Sequence, residues 1–404
     1  MINDSVLEKI SYLTGNKEII ETIAGIPARE AFDPEITDYL SDVSKLLLSD
    51  KRSREFSDVV TFAFWIRAAS LNKLKEMYEF KDDDIHSGRG LAFHIAPSNV
   101  PVNFAYSLVA GLLSGNANIV RVPGKDFPQV ELIVDAFNRA FDDHEAIRPY
   151  ILLVRYGHDK EINDMFSSMS DVRIIWGGDE TIAELRQSPL PPRSSEITFA
   201  DRYSLAVIDS DKYLALADKK RVAEDFYNDT YFTDQNACTS PRVVVWLGKE
   251  KEKARKEFWS LLHQLVKQKY GYQDIQGVNK LTSAYLTAVA VTGVKVIPHE
   301  DNLVVRVEVP EVSAKLMDYK DNSGFFFEYL CDDIMEIRDI CNDKRCQTIG
   351  IIGSSECIIP LLKSGVKGVD RVVPVGKTMD FDLIWDGYDL MAQMTRCVKI
   401  SKQL

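Results

Sequence analysis

Residues 90–123 read GLAFHIAPSNVPVNFAYSLVAGLLSGNANIVRVP. Three patterns follow one another in this stretch. GLAFHIAP is a short apolar run stopped by proline, which cannot donate to a sheet ladder. NFAYSLVAGLLSG reads as a long amphipathic helix ended by glycine, the residue that most easily turns left-handed beyond a helix terminus. NANIVRVP is a second short apolar run closed by proline. Strand, helix and strand in this order form a β-α-β unit, whose crossover makes the two strands parallel.

Downstream the pattern repeats. QVELIVDAFNRAF (129–141), KEINDMFSSMS (160–170) and DETIAELRQ (179–187) read as helices between the strands YILLVRYG (150–157) and VRIIWGG (172–178). Strands alternating with helices of this length predict a parallel sheet covered on both faces, a Rossmann-like domain. SPLPPRSSE, at 188–196, is proline- and serine-rich and reads as an exposed loop that cannot pair in a sheet. Beyond it YSLAVID, RVVVWLG, VKVIPH, NLVVRVEV, CQTIGIIG and VDRVVPVG read as strands of a second α/β domain. Upstream, EITDYLSDVSKLLLS and FSDVVTFAFWIRAASLNKLKEMY carry helical periodicity, so residues 1–80 read as a helical layer. The expected division is 1–203 for that layer with a cofactor domain, 204–385 for a catalytic domain, and 386–404 for a tail.

A chain of 404 residues exceeds what one core usually serves, in keeping with two domains. Hydrophobic residues at 45% and charged residues at 27% are ordinary for a folded protein. Asp and Glu outnumber Lys and Arg 61 to 49, which argues against a nucleic-acid partner, because phosphate binding needs a positive surface. The start MINDSVLEKISYLTG has no basic stretch leading into an apolar one, and no later segment is apolar enough to span a bilayer. A soluble, cytoplasmic protein is expected. The cysteines at 238, 331, 341, 346, 357 and 397 form no CxxC pair and no zinc-like spacing with histidine, so no metal site is expected and the thiols read as reduced.

Three motifs could carry chemistry. Cys238 in TDQNACTSPR lies in a polar turn of small residues between a helix and the strand RVVVWLG, where backbone N–H groups could lower the thiol pKa. A free cysteine is otherwise a small buried hydrophobe. Asn99 follows Pro97 where a helix should open. It reads either as the residue capping that helix or as a side-chain donor to a developing oxyanion. In WGGDETI, Gly177 and Gly178 precede a helix starting at Asp179 or Glu180. Glycines there permit close approach of a dinucleotide, although such turns also serve packing alone. His94 and His299 have no partner identifiable in the sequence and read as ordinary strand-end and loop histidines.

Taken in order, PSNVP before a helix, NANIVRVP, WGGDETI, DRYSLAVID, DQNACTSPR and RVVPVGKTMDFDLIWDGYDL resemble the acyl-CoA reductase family from about residue 90 to the C-terminus. That family includes the fatty acid reductase component of bacterial bioluminescence systems. It is similar in turn to the aldehyde dehydrogenase superfamily, which implies an α/β fold with a Rossmann-like cofactor domain, an α/β catalytic domain and a small oligomerisation arm. The resemblance puts Cys238 at the catalytic cysteine and Asn99 in the oxyanion hole. Arg121 falls at a lysine that contacts the adenine ribose, Gly177 and Gly178 at the cofactor-binding turn, and Glu328 in FFFEYL at a glutamate that binds the nicotinamide ribose. Read without the family, Glu328 is a surface carboxylate between apolar strand residues.

Two departures from the superfamily pattern bear on the reaction. Thr198 in ITFADRYS stands where hydrolytic aldehyde dehydrogenases carry a glutamate general base, so a cysteine-bound acyl group would escape hydrolysis. Arg121 in place of lysine adds a bidentate fork suited to a 2′-phosphate, which favours NADPH over NADH. The resemblance therefore implies NADPH-dependent reduction of an acyl-CoA or acyl-carrier thioester to the aldehyde. It also implies acyl-transferase or synthetase partner subunits and a homodimer or homotetramer. A hydrolytic aldehyde dehydrogenase and a non-catalytic scaffold for acyl transfer stand as alternatives.

Overall fold

The structure, a computed structural model, describes residues 4–78, 84–98, 100–297 and 299–401; Asn99 lies outside the described residues. The chain forms two compact units. One comprises the chain as far as Ala200 together with the stretch from Tyr388 onward, and the other is Asp201–Gly387. Among the described residues no helix is long and apolar enough to cross a membrane.

The main sheet of the first unit has six strands, β1 (Ser11–Thr14), β3 (Leu91–Ile95), β4 (Ala117–Arg121), β5 (Ile151–Arg155), β6 (Val172–Trp176) and β7 (Ser195–Phe199), with β2 (Asp84–Gly88) outside that sheet. Their order is β1-β5-β4-β3-β6-β7, parallel except for β1, which runs antiparallel to β5. All five residues of β3 are buried, as a central strand covered on both faces requires. The connecting helix Asn103–Leu113 is more buried than amphipathic: nine of its eleven residues are inaccessible, so its polar face is missing. Gly115 ends it at φ +82, and a Cβ there would lie 2.1 Å from the Arg29 carbonyl oxygen, so only glycine fits.

Three sequence expectations change. The N-terminal layer has the helices Pro34–Ser49, Ser57–Trp65 and Ala68–Met77, but SYLT at Ser11–Thr14 is an edge strand too short to show a period. The stretch 188–196 is loop only in part, because Ser195 and Glu196 open β7 and pair with Val172 and Arg173. The C-terminal stretch is no separate tail. Its strand Thr395–Lys399 pairs antiparallel with β2 inside the first unit.

The second unit holds β8 (Tyr203–Asp209), β9 (Pro241–Leu247), β10 (Lys295–Ile297), β11 (Val305–Glu308), β12 (Phe325–Leu330), β13 (Cys346–Ile352) and β14 (Arg371–Pro374), in the order β10-β11-β12-β9-β8-β13-β14. Only β10 runs against its neighbour. Successive residues feed opposite faces: Leu205, Val207, Val243, Val245, Phe325 and Phe327 build one core, and Ala206, Ile208, Val244, Trp246 and Phe326 the other.

Candidate active site

In the first sheet the chain runs outward from β3 through β4 to β5, then returns to place β6 on the other side of β3. The order thus reverses beside β3, and in such sheets the crevice outside the carboxyl ends at the reversal is where ligands bind. Arg121 ends β4 in register with Ile95 of β3, and Gly177–Gly178 follow the last residue of β6. The three sequence-chosen residues therefore share the carboxyl edge, at the ends of the two strands that flank β3.

Gly178 caps the helix Asp179–Leu185 at φ −66, a conformation open to any residue. A Cβ on Gly177 would already press Thr181 Cγ2 at 3.2 Å. The Arg121 guanidinium lies over the Tyr156 ring at 4.7 Å and donates to the Gly157 carbonyl at 3.1 Å. Among the described residues it has no carboxylate in ion-pair range, which leaves its charge available to an anion.

The second sheet presents the opposite edge. Cys238 precedes β9, so it stands at the amino ends of the strands. The turn before it is strained, with Asp234 at φ 51 and Gln235 at φ 58. The buried Gln235 amide holds that strain by filling all its bonding positions. Its Nε2 donates to the Pro241 and Phe325 carbonyls at 2.9 and 3.0 Å, and its Oε1 accepts from the Gly324 and Phe325 amides at 3.0 and 3.2 Å. Ser204 Oγ donates to the Cys238 carbonyl at 2.8 Å, and Thr239 Oγ1 meets Met379 Sδ at 3.1 Å.

Cys238 is half-buried, but the protein around its sulfur pushes the thiol pKa up, against the expectation from the turn alone. Burial is the main cause, because a thiolate loses its hydration there; the Arg202 backbone N–H opposes it, and the charges of Asp386 and Asp201 add to it. Arg242, also buried, works the other way and is itself pushed down to about 10 by desolvation. It is anchored by the Asp321 carbonyl at 2.6 Å and by Asn322 Oδ1. A thiolate formed here is thus scarce at neutral pH, with the charge of Arg242 partly offsetting the cost of its burial.

Sequence reading missed Gln235, Arg242 and Asp229. Asp229 is buried, accepts from the Gly376 and Thr378 amides at 2.6 and 3.2 Å, and burial pushes its carboxyl up to about 7. It fixes the segment leading to Met379, against which Thr239 rests. Consecutive non-glycine residues held left-handed just before a cysteine were the only local signal, and that conformation is invisible in composition.

Glu328 is neither a surface carboxylate nor an open one. It has no exposed surface, and five donations reach it: Trp259 Nε1 at 2.6 Å, Trp246 Nε1 at 2.9 Å, two from Arg255 at 3.1 and 3.2 Å, and Arg306 at 3.2 Å. With its lone pairs filled, it is the hub of a core ion-pair network and cannot also take a ribose hydroxyl. His94 is likewise structural. Trp176 Nε1 donates to Ser107 Oγ at 3.0 Å, and His94 meets Ser107 Oγ at 2.7 Å and Asn118 Oδ1 at 3.0 Å. Burial lowers its pKa to about 4, keeping the ring neutral. Thr198 is half-buried on β7, and its hydroxyl is no base.

The family described as acyl-CoA reductase (LuxC) matches residues 23–397, beginning well before the point where sequence motifs made the resemblance visible. A long-chain acyl-protein thioester reductase of Aliivibrio fischeri is 25% identical over 301 residues, 71% of this chain and 58% of that protein. One from Vibrio harveyi is 25% identical over 317 residues, 77% of this chain and 63% of that protein. The chain thus spans about three fifths of the length of these relatives. Among solved structures, an aldehyde dehydrogenase from Brucella melitensis superposes with a TM-score of 0.66 at 13% identity, covering 98% of this chain and 89% of that one. An indole-3-acetaldehyde dehydrogenase complexed with NAD+ gives 0.64 at 11% identity, covering 95% and 87%. The fold is therefore aldehyde dehydrogenase-like.

Proposed function

The chain belongs to the acyl-CoA reductase (LuxC) family, and from that premise we propose that it reduces an acyl thioester to the aldehyde through an S-acyl intermediate on Cys238. The observation that carries this reading is the pinned turn around that cysteine, with Gln235 locking the backbone and the charge of buried Arg242 favouring the thiolate. The Cys238 thiolate attacks the thioester carbonyl carbon, and the π pair moves onto oxygen. Asn99 Nδ2 and the Cys238 N–H donate to that oxyanion, as the PSN resemblance implies. Reforming the carbonyl expels the carrier thiolate, which takes a proton from solvent.

A reduced nicotinamide, when bound, would supply hydride to the acyl carbon held on Cys238, and release of the Cys238 thiolate from that carbon would free the aldehyde. Arg121, Gly177 and Gly178 are the residues proposed to hold that cofactor, and the unpaired guanidinium fits the 2′-phosphate of NADPH. Glu328 has no part in it. Thr198, standing where a base would activate water, lets the acyl enzyme persist until hydride arrives.

The relatives are named for acyl-protein thioesters, so an acyl group on a protein or on coenzyme A is the proposed substrate, delivered by acyl-transferase or synthetase subunits. A cytoplasmic homodimer or homotetramer, with nucleotide chemistry in the first unit and acyl chemistry in the second, completes the proposal. Intact-mass analysis after mixing with acyl-CoA tests it. An acyl adduct on Cys238 that NADPH removes as aldehyde is expected. Acid formed from free aldehyde with NADP+ and no thiol would instead support the hydrolytic route, and no adduct at all would support a non-catalytic scaffold.

A further inference from the structure

Away from Cys238, the second unit brings two imidazoles and a carboxylate together. His263 comes from the long helix Lys251–Lys269, and His299 and Asp301 from the turn between β10 and β11. His263 Nε2 lies 2.7 Å from Asp301 Oδ2, and His299 Nδ1 lies 3.0 Å from Asp301 Oδ1. The rings stack at 3.7 Å and 24°, and the three donor atoms all fall within 4.8 Å of one another. We propose that His263, His299 and Asp301 form a binding site for a divalent first-row transition-metal ion such as zinc. The sequence suggested no such site, because its spacing resembles no familiar motif and one ligand comes from a distant helix.

One ion can be reached by a nitrogen of each ring and by the carboxylate between them, although the groups come from two separate segments of the chain. Two nitrogens and one oxygen suit zinc, cobalt or nickel, whereas magnesium and calcium need oxygen ligands. Three protein ligands leave a fourth position for water, on the side where His299 is exposed.

The groups behind the ligands are in place. The Leu303 amide donates to Asp301 Oδ1 at 3.1 Å, and the Asn302 amide closes the turn on the His299 carbonyl at 2.9 Å, with Asn302 left-handed at φ 53. On the helix, Arg255, Trp259 and His263 recur every four residues along one face, and the first two are already clamped on Glu328. One ligand therefore rides on a fixed helix and the others on a tied turn, so a bound ion joins the helix to the β10–β11 connection.

Titrating the full chain, stripped by chelator, with ZnCl2 in a calorimeter tests this. One equivalent is expected to bind, to raise the melting temperature, and to vanish in His299→Ala, a substitution at an exposed position that leaves the fold intact. Cys397→Ser, which removes the thiol of the only other such cluster among the described residues, Asp84 with His86 and Cys397, should keep that equivalent. Cobalt bound at the same stoichiometry should show d–d bands without a thiolate charge-transfer band. Binding that survives His299→Ala, a thiolate band, equal affinity for magnesium, or no binding would each overturn the proposal.

Discussion

The two sheets offer their chemistry from opposite edges. In the first unit Arg121, Gly177 and Gly178 lie just after their strands, at the carboxyl ends beside the reversal of strand order. In the second, Cys238 lies just before its strand, at the amino end of β9, in a turn held by Gln235 and flanked by Arg242. A site after a strand is built by contiguous sequence, since the turn and the helix it opens are written side by side. A site before a strand is built by whatever the other strands bring, here the carbonyls and amides of Gly324, Phe325 and Asp321. The first is a turn where even a Cβ on Gly177 would press on the helix that follows. The second is a strained backbone kept shut by a buried amide.

Removing the sulfur separates these edges most sharply. Cys238→Ala should abolish the acyl adduct in intact-mass measurements while NADPH binding, followed by fluorescence, stays at wild-type strength; loss of both would mean the edges are not distinct. Next in size is Glu328→Gln. It takes from the buried Arg255 and the half-buried Arg306 the carboxylate they share and should lower unfolding stability by about 3 kcal/mol in urea titration, whereas a merely ribose-binding carboxylate would spare the fold.

Asn99→Ala should slow single-turnover acylation by roughly 10²–10³ with the fold unchanged, and a wild-type acylation rate would remove Asn99 from the mechanism. His94 probes the first unit through pH. Its folded pKa of about 4 lies below the ordinary value of about 6.5, so the unfolded chain takes the proton first. Stability is thus fully present above about pH 6.5 and falls by roughly 3 kcal/mol toward pH 4, a slope that His94→Gln should flatten in thermal melts. Smallest is Arg121→Ala: about tenfold weaker binding of NADPH with NADH little changed. Equal losses for both cofactors would place the guanidinium elsewhere than on a 2′-phosphate.

Raised as it is by burial, the Cys238 thiol should also acylate faster as pH climbs beyond the ordinary thiol range, rather than levelling off near neutrality. Relieving the opposing charge with Asp201→Asn, at an exposed position, should move that rise to lower pH. A profile unmoved by the substitution would show that Asp201 does not act on the sulfur.

Much of the fold was legible because its signals are local. Apolar runs closed by proline or glycine marked β3, β4, β6, β9 and β13, an apolar run alone marked β8, and helical spacing marked Lys251–Lys269. The strands that escaped, among them β1, β2, β7 and Thr395–Lys399, are short and earn their place by pairing with other segments, a choice made between segments and not within one. The same distinction divides the candidate site. Residue type, order and the departures at Thr198 and Arg121 are properties of the chain as written. The upward shift of the Cys238 thiol, the saturation of Glu328, the neutrality of His94 and the meeting of His263 with His299 and Asp301 belong to tertiary structure alone. Burial and through-space neighbours set those quantities, and neither exists until distant segments have packed.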